Sequence, residues 1–463
     1  MSKLCIMLFR YVFVALIAYF LWQGVTYLLD EREIKNLNRA ASAMKQRVII
    51  ICFHLIAFLI MGYKTGEFLF DERALITGGA GLLFFIGAMI LTTIVYRKGC
   101  PLLWNGVFFL LDIGFVMLYR LDTAVSERQL MYAALGFGAA MLMPLMFNVA
   151  QRIAHIPKVD IVYYILSIAL LSLPFFIGDR RGGSLNWIEI HGVRFQPSEV
   201  VKFFFVFYLA STLKRKRGLA QLAPSALAAA SLTLILVMQK DLGGALIFFM
   251  TYMIMLYIST GKEWLFFLGM GAASGGAWMA YRIFSHVRER VSIWIDPWAD
   301  PYDTGLQILQ SLFAINTWGV FGSGLTLGMP KHIPVVTSDM IFSALCEEFG
   351  GIFGLCVIGV FIMVFYRGVN IALRSGTAYS SLLAAGFTGL FTFQTFLILG
   401  GATKFIPLTG VTLPFVSAGG SSVVVSILMI GILQSIMRQN LIEARTRPDL
   451  DLDDDDSESD YYE

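Results

Sequence analysis

Residues 285–345 read SHVRERVSIWIDPWADPYDTGLQILQSLFAINTWGVFGSGLTLGMPKHIPVVTSDMIFSAL, the one long polar interruption in a chain otherwise made of apolar runs. Within eight residues this stretch carries three aspartates, Asp296, Asp300 and Asp303. Trp294, Trp298 and Tyr302 are interleaved with them, and Gly305, Gly322, Gly324 and Gly328 follow. Carboxylates, aromatic faces and glycines between membrane helices are what a carbohydrate-handling site needs. A solvated loop would show the same acids to water, so the stretch has to be weighed with the rest of the chain.

Working outward, 57% of the 463 residues are hydrophobic and only 14% are charged, against about 25% charged in a soluble domain. Apolar runs of about twenty residues recur, the length of a helical bilayer crossing. In lipid every backbone polar group must be satisfied within its own segment, so the spans are helices. The expected fold class is all-α, a polytopic membrane helical bundle. Thirteen spans are predicted, centred on 11–29, 48–63, 74–96, 102–119, 129–147, 161–177, 198–213, 222–238, 242–258, 264–284, 350–366, 382–400 and 421–437. The runs at 48–63 and 222–238 are short and are expected to tilt or re-enter. Cys5, Cys52, Cys100, Cys346 and Cys356 are scattered, with no C-x-x-C and no metal spacing with histidine, and are read as small apolar packing residues.

Charge gives the orientation. The last fifteen residues hold nine acids and no base, which leaves 35 bases against 23 acids in the body. Arg32, Lys35, Arg39, Lys45 and Arg47 follow the first span, Arg97 and Lys98 the third, and Arg152 and Lys158 the fifth. Lys214 to Arg217 follow the seventh span, Arg367 and Arg374 the eleventh, and Arg438, Arg445 and Arg447 open the tail. Every second loop is basic, so by the positive-inside rule these loops are cytoplasmic, with the N-terminus outside and the C-terminus inside. Lys3 and Arg10 argue weakly the other way. The first span lacks a small-residue cleavage site and is expected to be retained. The informative polar segments, 178–198, 239–244, 285–345 and 401–420, then all face outward. The acidic end is expected to be disordered.

Several residues in those segments carry candidate chemistry. Trp187 and Arg194 stand in a polar turn before Pro197-Ser198-Glu199 opens the seventh span. Glu199 and Lys202 are i and i+3 on one helix face and can pair; such a pair inside a membrane helix must line a protein or water cavity. Asp241 either caps the ninth span or belongs to that cavity. Asp339, followed by Glu347 and Glu348, lies where a helix would begin. Ser417, Gly419, Gly420 and Ser421 precede the last span, where exposed N–H groups and a helix dipole favour phosphate. Together these features suit a ligand with a phosphate, a sugar and a lipid.

Trp187, the run Arg194-Phe195-Gln196-Pro197-Ser198-Glu199 with Lys202, and Gln239-x-Asp241-Leu242-Gly243 resemble the signature of the SEDS family (shape, elongation, division and sporulation), which includes FtsW, RodA and SpoVE. So do Trp298-x-Asp300-Pro301 with Gly305-x-Gln307, Asp339-x-Ile341-Phe342 with Glu347-Glu348-x-Gly350, and PLTGVTLPFVSAGGSS at 407–422. The resemblance covers about 102–440, ten of the thirteen spans. It implies a ten-helix SEDS core over 99–440, three extra N-terminal helices as an appendage over 1–98, and an acidic cytoplasmic tail over 441–463.

The resemblance also implies an activity: a peptidoglycan glycosyltransferase in the plasma membrane that polymerises lipid II at the outer face and works with a class B penicillin-binding protein. Asp300 matches the family's catalytic aspartate. Trp187, Arg194, Glu199, Lys202, Asp241, Gln307, Asp339, Lys404, Ser417 and Ser421 are the expected substrate-binding residues. Asp296 and Asp303 are expected to raise the pKa of Asp300 by like-charge repulsion. The leaving pyrophosphate needs positive charge, from Arg194, Lys404, helix N-termini or a divalent cation, magnesium or manganese. Membrane lipid is the other expected partner; nucleic acid is not. The chain departs from the family at 334–340, at Lys240 and Gly244, and at Ala418. A lipid II flippase and a non-catalytic scaffold for a penicillin-binding protein are the alternatives.

Overall fold

The structure is a computed structural model that describes residues 3–29, 36–63, 71–97, 99–181, 184–190, 193–214 and 218–446. The acidic run from 449, His191 and residues 215–217 of the basic run lie outside them. All thirteen expected spans are helical. They comprise α1 (Lys3–Leu29), α2 (Asn36–Gly62), α3 (Glu72–Val95), α4 (Pro101–Leu121), the pair α5 (Thr123–Ala140) and α6 (Met143–Ile153), and α7 (Val159–Ser172) with the short α8 (Pro174–Ile177). A hairpin sheet of β1 (Asp179–Arg181), β2 (Ser184–Ile190) and β3 (Val193–Phe195) leads into α9 (Pro197–Leu213), α10 (Ala223–Met238), α11 (Leu242–Thr260) and α12 (Glu263–Ile283). The polar interruption holds α13 (Ser285–Ile295), α14 (Leu306–Thr317) and α15 (Ile341–Phe349); α16 (Gly351–Leu373), α17 (Ala378–Ala402) and α18 (Gly420–Thr446) complete the bundle.

Among the described residues nine helices are long and apolar enough to cross a membrane, or ten if the α5–α6 pair, bent by 51°, is one span. The bend falls at Met141-Leu142, just before Pro144, whose missing N–H removes a helix hydrogen bond. Pro174 breaks α7 from α8 in the same way. The remaining spans, α9, α10 and α12, are shorter or less apolar. α9 is enclosed by protein, which is why it tolerates the buried Glu199 and Lys202.

Three local expectations are corrected. The run at 48–63 is the end of a 27-residue helix, α2, whose first turns are polar, so it is not short. The 285–345 stretch, read as a long loop, holds α13, α14 and the start of α15. The turn at 178–198 is a three-stranded antiparallel sheet in which Glu189 pairs in register with Arg194. The last helix also continues to Thr446, past the boundary drawn at 440.

Helix ends follow capping chemistry. Asp122 accepts from Ala124 N and Val125 N at the start of α5, Asp241 from Gly244 N at α11, and Thr377 from Ser380 N at α17. α4 runs through the centre, with every residue buried except Pro101 and Arg120. The chain connectivity puts the β-hairpin, the α10–α11 turn, α13–α15 and the 403–419 loop at one end of the bundle.

Candidate active site

The outer-segment residues converge on a central cavity of about 280 Å³. Its walls include Asn186 and Trp187 of β2, Glu199 and Lys202 of α9, Asp241, Arg290 of α13, Asp339 and Gly410. Trp187 and Ala418 are shared with a neighbouring cavity of about 240 Å³ that Arg128, Gln129, Tyr132 and Arg194 line. Ser184, Lys240 and Arg290 are shared with a third cavity, about 280 Å³, that reaches Thr304. The three lie side by side with shared walls and together form the groove at that end of the bundle.

The charges on its walls are fixed by hydrogen bonds. Lys202 Nζ donates to Glu199 Oε1 at 2.8 Å and to Gln394 Oε1 at 2.9 Å. Gln394 Nε2 donates to Thr412 O at 2.9 Å, and Thr412 Oγ1 donates to Ser422 Oγ at 3.0 Å. One network thereby ties α9, α17, the 403–419 loop and α18 together. Asp241 accepts from its own capping N–H and also from Asn186 Nδ2 at 2.9 Å and Gln196 Nε2 at 3.4 Å. Both readings of Asp241, cap and cavity wall, hold at once.

Arg290 Nη1 donates to Leu408 O at 3.0 Å. Burial pushes the carboxyl of Asp339 up to about 6, against the opposing pull of the Ser338 hydroxyl and the Arg290 charge. His286, in the third cavity, is held below its ordinary value by burial and by the neighbouring charges of Arg290 and Lys240. The walls therefore carry both signs: Arg128, Arg194, Lys202, Lys240 and Arg290 stand against Glu199, Asp241, Asp339 and Glu289. Lys240, Val335, Lys404 and Phe415, in the loops around it, have φ of +61°, +53°, +60° and +66°. That left-handed backbone is costly for non-glycine residues and is held by the surrounding packing.

Asp300 lies beside Thr304, which lines the third cavity. Its Oδ2 accepts from Thr304 Oγ1 at 2.8 Å and from Thr304 N at 3.2 Å. Those bonds hold its carboxyl below the ordinary aspartate value. The expected upward shift is thus reversed: hydrogen bonds to the ionised form, from Thr304 and from the backbone at Asp303 and Tyr302, outweigh the desolvation that opposes them. Asp296 is spent locally, accepting from Trp298 N at 3.0 Å.

The structure brings Trp187, Glu199, Lys202, Asp241 and Asp339 to the central cavity. Arg194 pairs with Glu189 at 3.3 Å and belongs to the adjoining cavity, apart from the Glu199–Lys202 pair. Ser417 is buried: its Oγ donates to Ser338 O at 2.6 Å and accepts from Leu413 N at 2.9 Å. Ser421 Oγ accepts from Gln196 N at 3.3 Å. Both serines hold the groove wall together. Gln307 and Lys404 do not line the three cavities; Lys404 Nζ reaches Ile295 O at 3.5 Å. Arg290, Gln394 and the Arg128–Tyr132 stretch were not singled out from sequence, although Gln394, an amide in the middle of an apolar helix, was a readable signal.

A family model described as a cell cycle protein, covering FtsW, RodA and SpoVE, matches residues 100–441. The chain belongs to the FtsW/RodA/SpoVE family. The peptidoglycan glycosyltransferase RodA of Mycobacterium tuberculosis is 32% identical over 375 residues, 75% of this chain and 80% of that one. Stage V sporulation protein E of Bacillus subtilis is 31% identical over 355 residues, 71% of this chain and 94% of that one. A solved structure, described as structural coordination of polymerization and crosslinking by a peptidoglycan synthase complex, holds a chain 27% identical to this one. It superposes with a TM-score of 0.61 over 73% of this chain and 97% of that one. The SEDS resemblance and the membrane-bundle fold are borne out. α1–α3 lie before the FtsW/RodA/SpoVE match.

Proposed function

We infer that the chain is a peptidoglycan glycosyltransferase, and we propose that it polymerises lipid II in the groove. The observation that carries this reading is the central polar cavity, where motif-matching Trp187, Glu199, Lys202, Asp241 and Asp339 stand beside Arg290 and Lys240. Arg290, Lys240 and Lys202 are placed to meet a pyrophosphate, and Trp187 offers an aromatic face to a sugar. In the proposed step the acceptor hydroxyl attacks the anomeric carbon of the donor. The new glycosidic C–O bond forms as the C–O bond to pyrophosphate breaks, the proton passes to Asp300, and lipid pyrophosphate leaves as an anion. Thr304 keeps Asp300 ionised at neutral pH, and partial proton removal in the transition state is worth roughly 10²–10⁴-fold. A second reading makes Asp339 the base. Its place in the central cavity and its pKa near 6 favour that role.

Among the described residues no group of three or more His, Cys, Asp or Glu side chains is placed to hold a metal ion. A magnesium or manganese ion is proposed only as one arriving with the pyrophosphate, with Asp241 or Asp339 as its protein ligand. EDTA treatment with each cation added back tests this. The N-terminus is proposed to lie outside and the C-terminus in the cytoplasm, because the described basic residues Arg97, Arg152, Lys158, Lys214 and Arg374 fall at the helix ends opposite the groove. A class B penicillin-binding protein is the proposed partner. A flippase needs charged sites reachable from both faces, and the linked cavities all lie at one end. Purified protein, with and without that partner, given labelled lipid II and run on a gel, tests the enzyme. Headgroup transfer across a vesicle without polymer would support the flippase instead.

A further inference from the structure

Asp112 of α4 and His54 of α2 form a buried pair that the groove chemistry does not use. Both are at most 1% exposed, and His54 Nδ1 lies 2.6 Å from Asp112 Oδ1. His54 Nε2 lies 2.9 Å from Gly78 O on α3. A carbonyl oxygen only accepts, so Nε2 carries a hydrogen, and the second proton is shared between Nδ1 and the carboxylate. The pair is therefore neutral as a unit, whichever atom owns that proton. A Cβ on Gly81 would stand 2.9 Å from His54 Cε1 and 2.5 Å from the Phe115 ring, so glycine there lets α3 close over the imidazole. Nearby, Asn105 Nδ2 of α4 donates to Ala43 O and Gln46 Oε1 of α2, at 3.0 and 3.1 Å.

From Asp112 the contact runs on to the groove. A Cβ on Gly114, two residues along α4, would lie 2.6 Å from Val416 O, so α4 packs directly on the turn around 415–419. Gln129 Nε2 of α5 holds the same turn through Ser417 O at 3.0 Å. At the end of α4, Arg120 Nε donates to Glu348 Oε1 at 2.9 Å, and Arg120 Nη2 donates to Gly328 O at 3.1 Å. These bonds pin the stretch before α15.

We propose that α1–α3 are a positioning unit of the glycosyltransferase, latched by the buried His54–Asp112 hydrogen bond to α4, which carries the 415–419 turn of the groove. This rests on the function proposed above. The family match begins after α3, so the latch joins a unit outside that match to a helix within it. His54 and Asp112 touch no substrate; they act through α4.

The test uses the full chain in nanodiscs, labelled with 5-fluorotryptophan, so that the fluorine resonance of Trp187 reports on the groove without any activity. Polymer formed from lipid II is counted per folded molecule. His54→Asn shifts the Trp187 resonance and slows polymerisation roughly tenfold, a coupling of the size seen between residues of one network. The double variant His54→Leu/Asp112→Leu leaves no stranded polar group and so folds, yet it lacks the hydrogen bond and keeps both the shifted resonance and the roughly tenfold slower rate. A purely structural role would lower the folded fraction and leave the resonance and the rate per folded molecule unchanged. That result, or a double variant with the unaltered resonance and rate, overturns the latch. If neither variant folds, Gly81→Ala, which presses a methyl group on His54 and Phe115, is read in the same way. A wild-type chain that makes no polymer overturns the proposed function, while the Trp187 resonance still judges the latch.

Discussion

Glu199→Ala and Glu199→Gln separate a coupled charge network from a surface ornament. Lys202 is 3% exposed and has two acceptors, Glu199 and Gln394. Glu199→Ala strands a buried ammonium with one neutral acceptor, at a cost of roughly 3–5 kcal/mol. A total stability of about 5–15 kcal/mol makes that a large fraction. Glu199→Gln keeps an oxygen where the carboxylate stood and trades a charge-assisted bond for a neutral one, costing about 1 kcal/mol. Thermal denaturation in detergent, followed by tryptophan fluorescence, should show a large fall in midpoint for the alanine variant and a small one for glutamine. Because the network also anchors the 403–419 loop and α18, polymerisation should fall in the same order. The double variant Glu199→Leu/Lys202→Met should recover stability but not activity, since an apolar pair packs without meeting the ligand. Equal midpoints for alanine and glutamine would refute the reasoning.

Other outcomes follow from the same geometry. Gly410 has φ of +74°, and a Cβ there would stand 3.6 Å from Arg290 Nη2 and 3.8 Å from Asp339 Oδ2; Gly410→Ala should cost about 1–2 kcal/mol of backbone strain and raise KM for lipid II. The raised pKa of Asp339 means that its charge is lost as pH falls through about 6, so the rate should have an acid limb near that pH which is absent in Asp339→Asn. Stability should move the other way, because a carboxyl whose folded pKa lies above its unfolded value of about 3.9 gains stability as pH falls from about 6 towards 4. Single cysteines placed at 214–217 and in 285–345 of a cysteine-free chain, probed with an impermeant thiol reagent in intact cells, should label only at 285–345. Labelling at 214–217 would reverse the orientation.

The spans were legible because a bilayer imposes a length and an apolarity that few other structures share. The Glu199–Lys202 pair was legible because a helix puts i and i+3 on one face. Arg290 was not, because its role depends on α13 folding back against Leu408, a contact 118 residues away in the chain. The tether on Asp300 ran against the sequence argument, which weighed its acidic neighbours and overlooked the hydroxyl and N–H of Thr304 four residues on. His54 and Asp112 stood in plain view inside apolar runs, where a titratable group is costly unless partnered. Neither had an obvious partner until the fold brought α2 and α4 together.

The most direct measurement is polymer formation from labelled lipid II by Asp300→Asn and Asp339→Asn beside the unaltered chain, with insertion and partner binding checked in parallel. The account predicts glycan strands from the unaltered chain, and none from Asp300→Asn even though that variant still inserts and binds its partner. Strands from Asp300→Asn and none from Asp339→Asn would contradict it and move the base to the central cavity.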